Sequence, residues 1–200
     1  SFGSEIDTPN LDALAQRGVK FTDFHTSVSC SPTRSMLLSG TDNHIAGLGN
    51  MGEMIAPEQR GKPGYEGHLN DRVVSLAEVL RTGGYHTYMA GKWHLGEEEE
   101  HWPDKRGFQR SFALMQGGAS HFGDEAPMSN DYYPIYAEDG VRTHTPDDFY
   151  SSTFYANKII DYLETRDNSK PFFGYLAFTA SHDPLHVPDE WIDKYKGQYD

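Results

Sequence analysis

Apolar residues recur along this chain with helical and strand periods in turn, and the switches between the two mark out its elements. After Thr8-Pro9, residues Leu11, Leu14 and Ala15 share one face and Gly18 follows. That spacing predicts a helix with Pro9 at its first position. Val19 to Phe24 alternates Val, Phe and Phe with polar residues, the period of a half-buried strand. Ser31 and Pro32 suit the cap and first position of a short helix, in which Met36, Leu37 and Leu38 bury one side before Gly40. From Gly40 to about Asn70 the chain is glycine-rich and irregular, which fits the wall of a site better than a regular element.

Ser75-x-x-Glu78 reads as a capping box for a helix carrying Leu76, Val79 and Leu80, stopped by Gly83-Gly84. Tyr85 to Ala90 reads as a short strand that delivers Gly91-Lys92-Trp93-His94 at its end. Residues 97–148 read as loop-rich, with the run Glu97-Glu98-Glu99-Glu100 a solvated surface. Thr145-Pro146-Asp147-Asp148 opens a long helix with Tyr155, Ile159, Tyr162 and Leu163 on one face. Phe172 to Thr179 is almost wholly apolar, as expected for a strand in the middle of a covered parallel sheet.

Strands alternating with helices imply an α/β fold with a mostly parallel central sheet flanked by helices. Sites in such folds gather at the carboxyl ends of strands. Cys30, Lys92 with His94, and His182 each follow a predicted strand, so three separate pieces of chain can converge on one pocket.

Composition narrows the partners. A net charge of −13 disfavours nucleic acid and anionic membrane surfaces. No apolar run is long enough for a membrane span. A single cysteine excludes an intrachain disulfide and leaves the redox compartment open. An anionic substrate would need a local positive pocket inside this acidic shell, and Arg34 and Lys92 are the candidates.

Chemistry concentrates at Cys30. It lies at a helix N-terminus, where unpaired N–H groups and the helix dipole favour negative charge, and Arg34 one turn on adds a planar fork of donors. Two other patterns are weaker. Gly47-x-Gly49-x-x-Gly52 matches a dinucleotide fingerprint but lacks the strand before it and the helix after it. His182 and His186 are spaced as zinc ligands on a helix, but Pro184 between them favours a shaped loop. His44 and His121 sit in glycine-rich loops that could line a pocket, and the sequence leaves their role open.

Cys30-x-Pro32-x-Arg34, followed by Ser35-Met36-Leu37-Leu38-Ser39-Gly40-Thr41, resembles the signature of type I sulfatases. Gly84-Tyr85-His86-Thr87 through Gly91-Lys92-Trp93-His94-Leu95-Gly96 resembles the second signature of that family. Asp7 to Ala15 and Ala177 to Pro188 are also similar to sulfatase sequence, so the resemblance covers nearly all 200 residues. It is nearest to bacterial arylsulfatases with the cysteine form of the motif, within the alkaline phosphatase superfamily.

The resemblance implies a sulfuric ester hydrolase acting on a small-molecule sulfate ester, with an alkaline-phosphatase-like fold. It implies that a maturation enzyme oxidises Cys30 to formylglycine, whose hydrate is the nucleophile. Arg34 would hold that hydrate, Lys92 would bind a sulfate oxygen, His94 would hydrogen-bond the hydrate, and His182 would act as general acid. A calcium ion is also implied, with formylglycine at Cys30 among its ligands and paired carboxylates supplying the rest. Neither Asp147-Asp148 nor Asp131-Tyr132 matches those pairs. Residues 1–200 are therefore expected to be part of an N-terminal catalytic domain, lacking its first strand and its C-terminal portion, and inactive alone. Bacterial cytoplasm and periplasm both stay open. So do two alternatives: a phosphonate or phosphate monoester hydrolase of the same superfamily, and a catalytically incomplete fragment.

Overall fold

The structure is a computed structural model that describes residues 5–124 and 132–198. Five strands form one sheet: β1 (His86–Lys92), β2 (Arg110–Leu114), β3 (Tyr136–Glu138), β4 (Val141–Thr143) and β5 (Phe172–Ala177). Their order is β4-β3-β2-β1-β5. β1 runs parallel to both β2 and β5, and an antiparallel β3–β4 hairpin extends the β2 side.

β1 is buried along nearly its whole length, and its alternation divides the core. Met89 packs with Trp93, Leu95, Trp102 and Leu48 on one side. Tyr88 and Ala90 pack with Phe112, Tyr155 and Phe149 on the other. The period of two in a pleated strand sends neighbouring side chains to opposite faces. Gly91 is required where it stands: its φ is +116°, and a Cβ there would strike the Ala177 backbone of β5.

Five α-helices accompany the sheet: α1 (Pro9–Arg17), α2 (Cys30–Ser39), α3 (Leu76–Thr82), α4 (Ser151–Glu164) and α5 (Asp189–Tyr195). The capping box of α3 forms as its sequence predicts. Ser75 Oγ accepts from the Glu78 N–H at 3.1 Å, and Glu78 Oε2 accepts from the Ser75 N–H at 2.7 Å. α4 buries Tyr155, Ile159 and Tyr162 at the expected spacing. The segment between α2 and α3 is irregular but firmly tied. Its main chain crosses itself at Gly49–Gly64, Gly67–Gly47 and Asn70–Ala46. The buried Arg106 clamps its end, donating to the carbonyls of Leu69, Asn70 and Val73.

Several expectations are corrected. Residues 19–24 form no strand; Val19, Phe21 and Phe24 are 78%, 66% and 74% exposed. A strand needs a ladder partner, and the sheet offers this segment none among the described residues. β5 lies at one end of the described sheet rather than in its middle, and Phe172 is correspondingly exposed. α2 starts at Cys30, with Ser29 preceding it and Pro32 already inside the first turn, where no N–H is needed. Of its apolar residues Leu38 is buried, whereas Met36 and Leu37 are exposed. α4 starts at Ser151 because Pro146 to Phe149 closes a separate turn that drops Phe149 into the core. The described residues of 97–148 hold three strands. β2 escapes a sequence reading because a strand paired on both sides and buried needs only Ser-Phe-Ala-Leu.

Candidate active site

The carboxyl end of β1, the start of α2 and the loop after β5 meet at one place. A cavity of about 760 Å³ is lined by Cys30, His94 and His182, together with Glu53, Glu97 and Gln116. A shallower hollow of about 510 Å³ on the α2 side is lined by Thr33, Arg34, Lys92 and Thr179. Cys30 and His182 belong to both, so they stand where the two hollows join. The three predicted pieces of chain therefore converge.

Lys92, the last residue of β1, is buried and lines the same hollow as Cys30. Burial lowers its pKa from the ordinary lysine value; the sulfur of Cys30 and the carboxylate of Glu53 oppose that shift, and Arg34 adds to it. A buried ammonium at the edge of a hollow is suited to an anion.

Arg34 serves the main chain. Its Nε donates to the Trp93 carbonyl at 2.7 Å, and its Nη2 donates to the Lys92 carbonyl. The guanidinium lies 5.6 Å from the centre of the Tyr175 ring. It thus locks the start of α2 onto the end of β1 and fixes Cys30 relative to Lys92. Burial lowers its pKa, against the pull of Tyr175 and Cys30.

Beyond β1 the chain keeps to β2: the N–H groups of Trp93 and His94 donate to Leu114 and Met115 at 2.7 and 3.1 Å. His94 takes φ = +54° and is buried, with Nε2 at 3.1 and 3.2 Å from the two oxygens of Glu53. A carboxylate only accepts, so Nε2 carries the hydrogen. The Nδ1 of His94 is buried and has no partner. The bond to His94 is the main reason that the Glu53 carboxyl sits below its usual range.

His182 has the opposite tautomer. Its Nδ1 is 2.8 Å from the Asp183 carbonyl, so Nδ1 donates and Nε2 is the nitrogen left open. Behind it, His121 is buried with Nδ1 2.7 Å from Ser151 Oγ and Nε2 3.2 Å from the His182 carbonyl. His121 therefore braces the His182 loop and does not line the cavity, while His44 is exposed against Tyr65. The loop with His182 and His186 contains no helix, in keeping with Pro184.

Sequence reasoning missed Glu53, Gly117 and Gly118. Gly117 lies so close to His94 that a Cβ would come within 2.7 Å of the ring, and one on Gly118 would come within 2.8 Å of His182 Nδ1. The Gly-Gly pair after β2 was a visible signal. Glu53 carried none, being one of many acidic residues in an irregular stretch.

A calcium site does not assemble here. No group of three His, Cys, Asp or Glu converges among the described residues, and Asp131 lies outside them. Among the described residues no helix is long and apolar enough to cross a membrane.

Comparison with known proteins agrees with this geometry. The family model described as Sulfatase matches residues 1–200. The chain is 53% identical to an uncharacterized sulfatase of Schizosaccharomyces pombe over 99% of its length and 38% of that protein's. It is 47% identical to an arylsulfatase of Klebsiella aerogenes, over 100% of this chain and 43% of that one. It therefore spans less than half of these relatives. Among solved structures, Ps i-CgsB in complex with k-i-k-neocarrahexaose superposes with a TM-score of 0.81 at 25% identity, covering 99% of this chain and 45% of that one. A structure in complex with D-glucosamine-2-N,6-O-disulfate superposes at 0.72 and 25% identity, covering 97% and 33%. By its family match over the whole of its length and its likeness to these relatives, the chain belongs to the sulfatase family.

Proposed function

We propose that this chain is the nucleophile-bearing part of a sulfuric ester hydrolase of the arylsulfatase type. The observation that carries the reading is Cys30 as the first residue of α2, in one hollow with the buried Lys92 and with Arg34. Cys30 stands at the junction of two hollows, so its side chain is open to a maturation enzyme and to substrate. Converted to formylglycine, it would supply an oxygen nucleophile for sulfur. Lys92 would bind a sulfuryl oxygen, where a cation withdrawn from water stabilises developing charge most. Nδ1 of His94 is the atom free to exchange a proton beside Cys30, with Glu53 fixing its ring. Nε2 of His182, held by the Asp183 carbonyl and braced by His121, is the atom suited to protonate the leaving oxygen.

Calcium is not given a role, since the described residues supply no ligand set. The same reading makes residues 1–200 part of a larger domain. Its support is that the chain matches less than half of its relatives and leaves whole apolar faces open, with no residue of α1 buried. The test is turnover of one aryl leaving group as sulfate, phosphate and phosphonate ester, with Cys30→Ala as control. Sulfate favoured and lost on Cys30→Ala supports the reading. Preference for the phosphonate or phosphate would transfer the chain to the sister activity.

A further inference from the structure

The two hollows that meet at Cys30 carry opposite charge. On the α2 side the lysine and arginine that line the wall are Lys92 and Arg34. On the far side the wall holds the carboxylates of Glu53, Glu97 and Asp183 with the imidazoles of His94, His182 and His186, and no lysine or arginine among the described residues. Two of these carboxylates act on one spot. The Tyr132 hydroxyl donates to Glu97 Oε2 and accepts from Gln116 Nε2 at 3.3 Å. Burial, the bond to Glu97 and the charges of Glu97 and Glu53 together hold that phenol up at about 12. The same wall includes the apolar Met51, Ala119 and Pro184. The site is thus polarised, with Lys92 and Arg34 in one hollow and carboxylates among apolar side chains in the other.

Resting on the sulfate-ester reading above, we propose that this cavity selects sulfate esters whose leaving group is an apolar, aromatic body bearing a positive charge, and rejects esters that carry further anions. A zwitterion of that kind meets attraction at both ends. A second anion on the leaving group would face Glu97 and Asp183 with no lysine or arginine beside them among the described residues, and like charge in a partly desolvated cleft is unfavourable. This separates the chain from its solved relative that holds a disulfated sugar.

The experiment uses the full-length protein with Cys30 converted, and three phenyl sulfates bearing para-aminomethyl, para-methyl or para-carboxymethyl groups. The methylene insulates the phenolic oxygen, so leaving-group acidity stays similar across the series. The expected kcat/KM ranks aminomethyl, then methyl, then carboxymethyl, with the ends apart by about tenfold or more at low ionic strength. The ratio should shrink with added salt and in Glu97→Gln and Asp183→Asn. Should either variant fail to fold, the salt dependence of the unaltered protein carries the test. Equal turnover of the aminomethyl and carboxymethyl esters overturns the proposal, and so does a preference that salt leaves unmoved. No turnover of any ester by converted protein overturns the sulfate reading itself, and this inference with it.

Discussion

Replacing Arg34 by alanine removes a half-buried guanidinium whose Nε donates to the Trp93 carbonyl at 2.7 Å and whose Nη2 donates to the Lys92 carbonyl. Hydrogen bonds from a charged group are worth about 1.5–3 kcal/mol each, and they are not additive. Deleting the guanidinium also recovers the cost of burying it, which shows in its lowered pKa. The net loss is therefore about 2–4 kcal/mol, or a Tm drop of roughly 5–15 °C for a domain of this size. Arg34→Lys should lose roughly half as much, because an ammonium cannot contact two carbonyls in the geometry of a planar fork. Both variants should also lose turnover, since the bonds being cut place Lys92 against Cys30. Urea unfolding of the full-length protein, followed by circular dichroism beside kcat/KM, reads both effects. If Arg34→Ala unfolds within about 0.5 kcal/mol of the parent, the two carbonyl bonds are not what holds α2 to β1.

Three further outcomes follow from the same geometry. Lys92→Ala should lower kcat/KM by roughly 10²–10³, the effect of losing one transition-state contact worth about 3–4 kcal/mol, and near-normal kinetics would misplace the anion site. Gly117→Ala puts a Cβ within 2.7 Å of the His94 ring, so turnover should fall by about tenfold or more while the unfolding midpoint moves little; an unaffected rate would show that the ring need not stay where it is. Glu53 is an acid whose folded pKa is depressed, chiefly by its bond to His94, so its contribution is present at neutral pH and lost as pH falls through the folded value. The stability gap between the parent and Glu53→Gln should accordingly close on acidification below the ordinary glutamate value of 4.5, and a gap that stays constant would argue against the pairing.

Much of the site was legible because its residues sit at element ends that sequence marks well. The capping box at Ser75, the short strand into Lys92 and the glycine at position 40 all announce themselves locally, and they place Cys30, Lys92 and His94 near strand or helix ends. The role of Arg34 was half legible: a fork contacting two oxygens was expected, but the oxygens are main-chain carbonyls 58 and 59 residues away. Glu53 was illegible because its partner is 41 residues off and its own stretch has no period. The misplaced strand at residues 19–24 has a different cause. Alternation reports what a segment could bury, and Val19, Phe21 and Phe24 have nothing over them among the described residues.

Peptide mass analysis of the segment bearing Cys30, taken from a full-length preparation whose sulfate-ester turnover has been measured, tests the central claim most directly. The account predicts an aldehyde in place of the thiol, in a fraction that rises with activity from one preparation to the next. A fully active preparation in which Cys30 is present only as free thiol would contradict it.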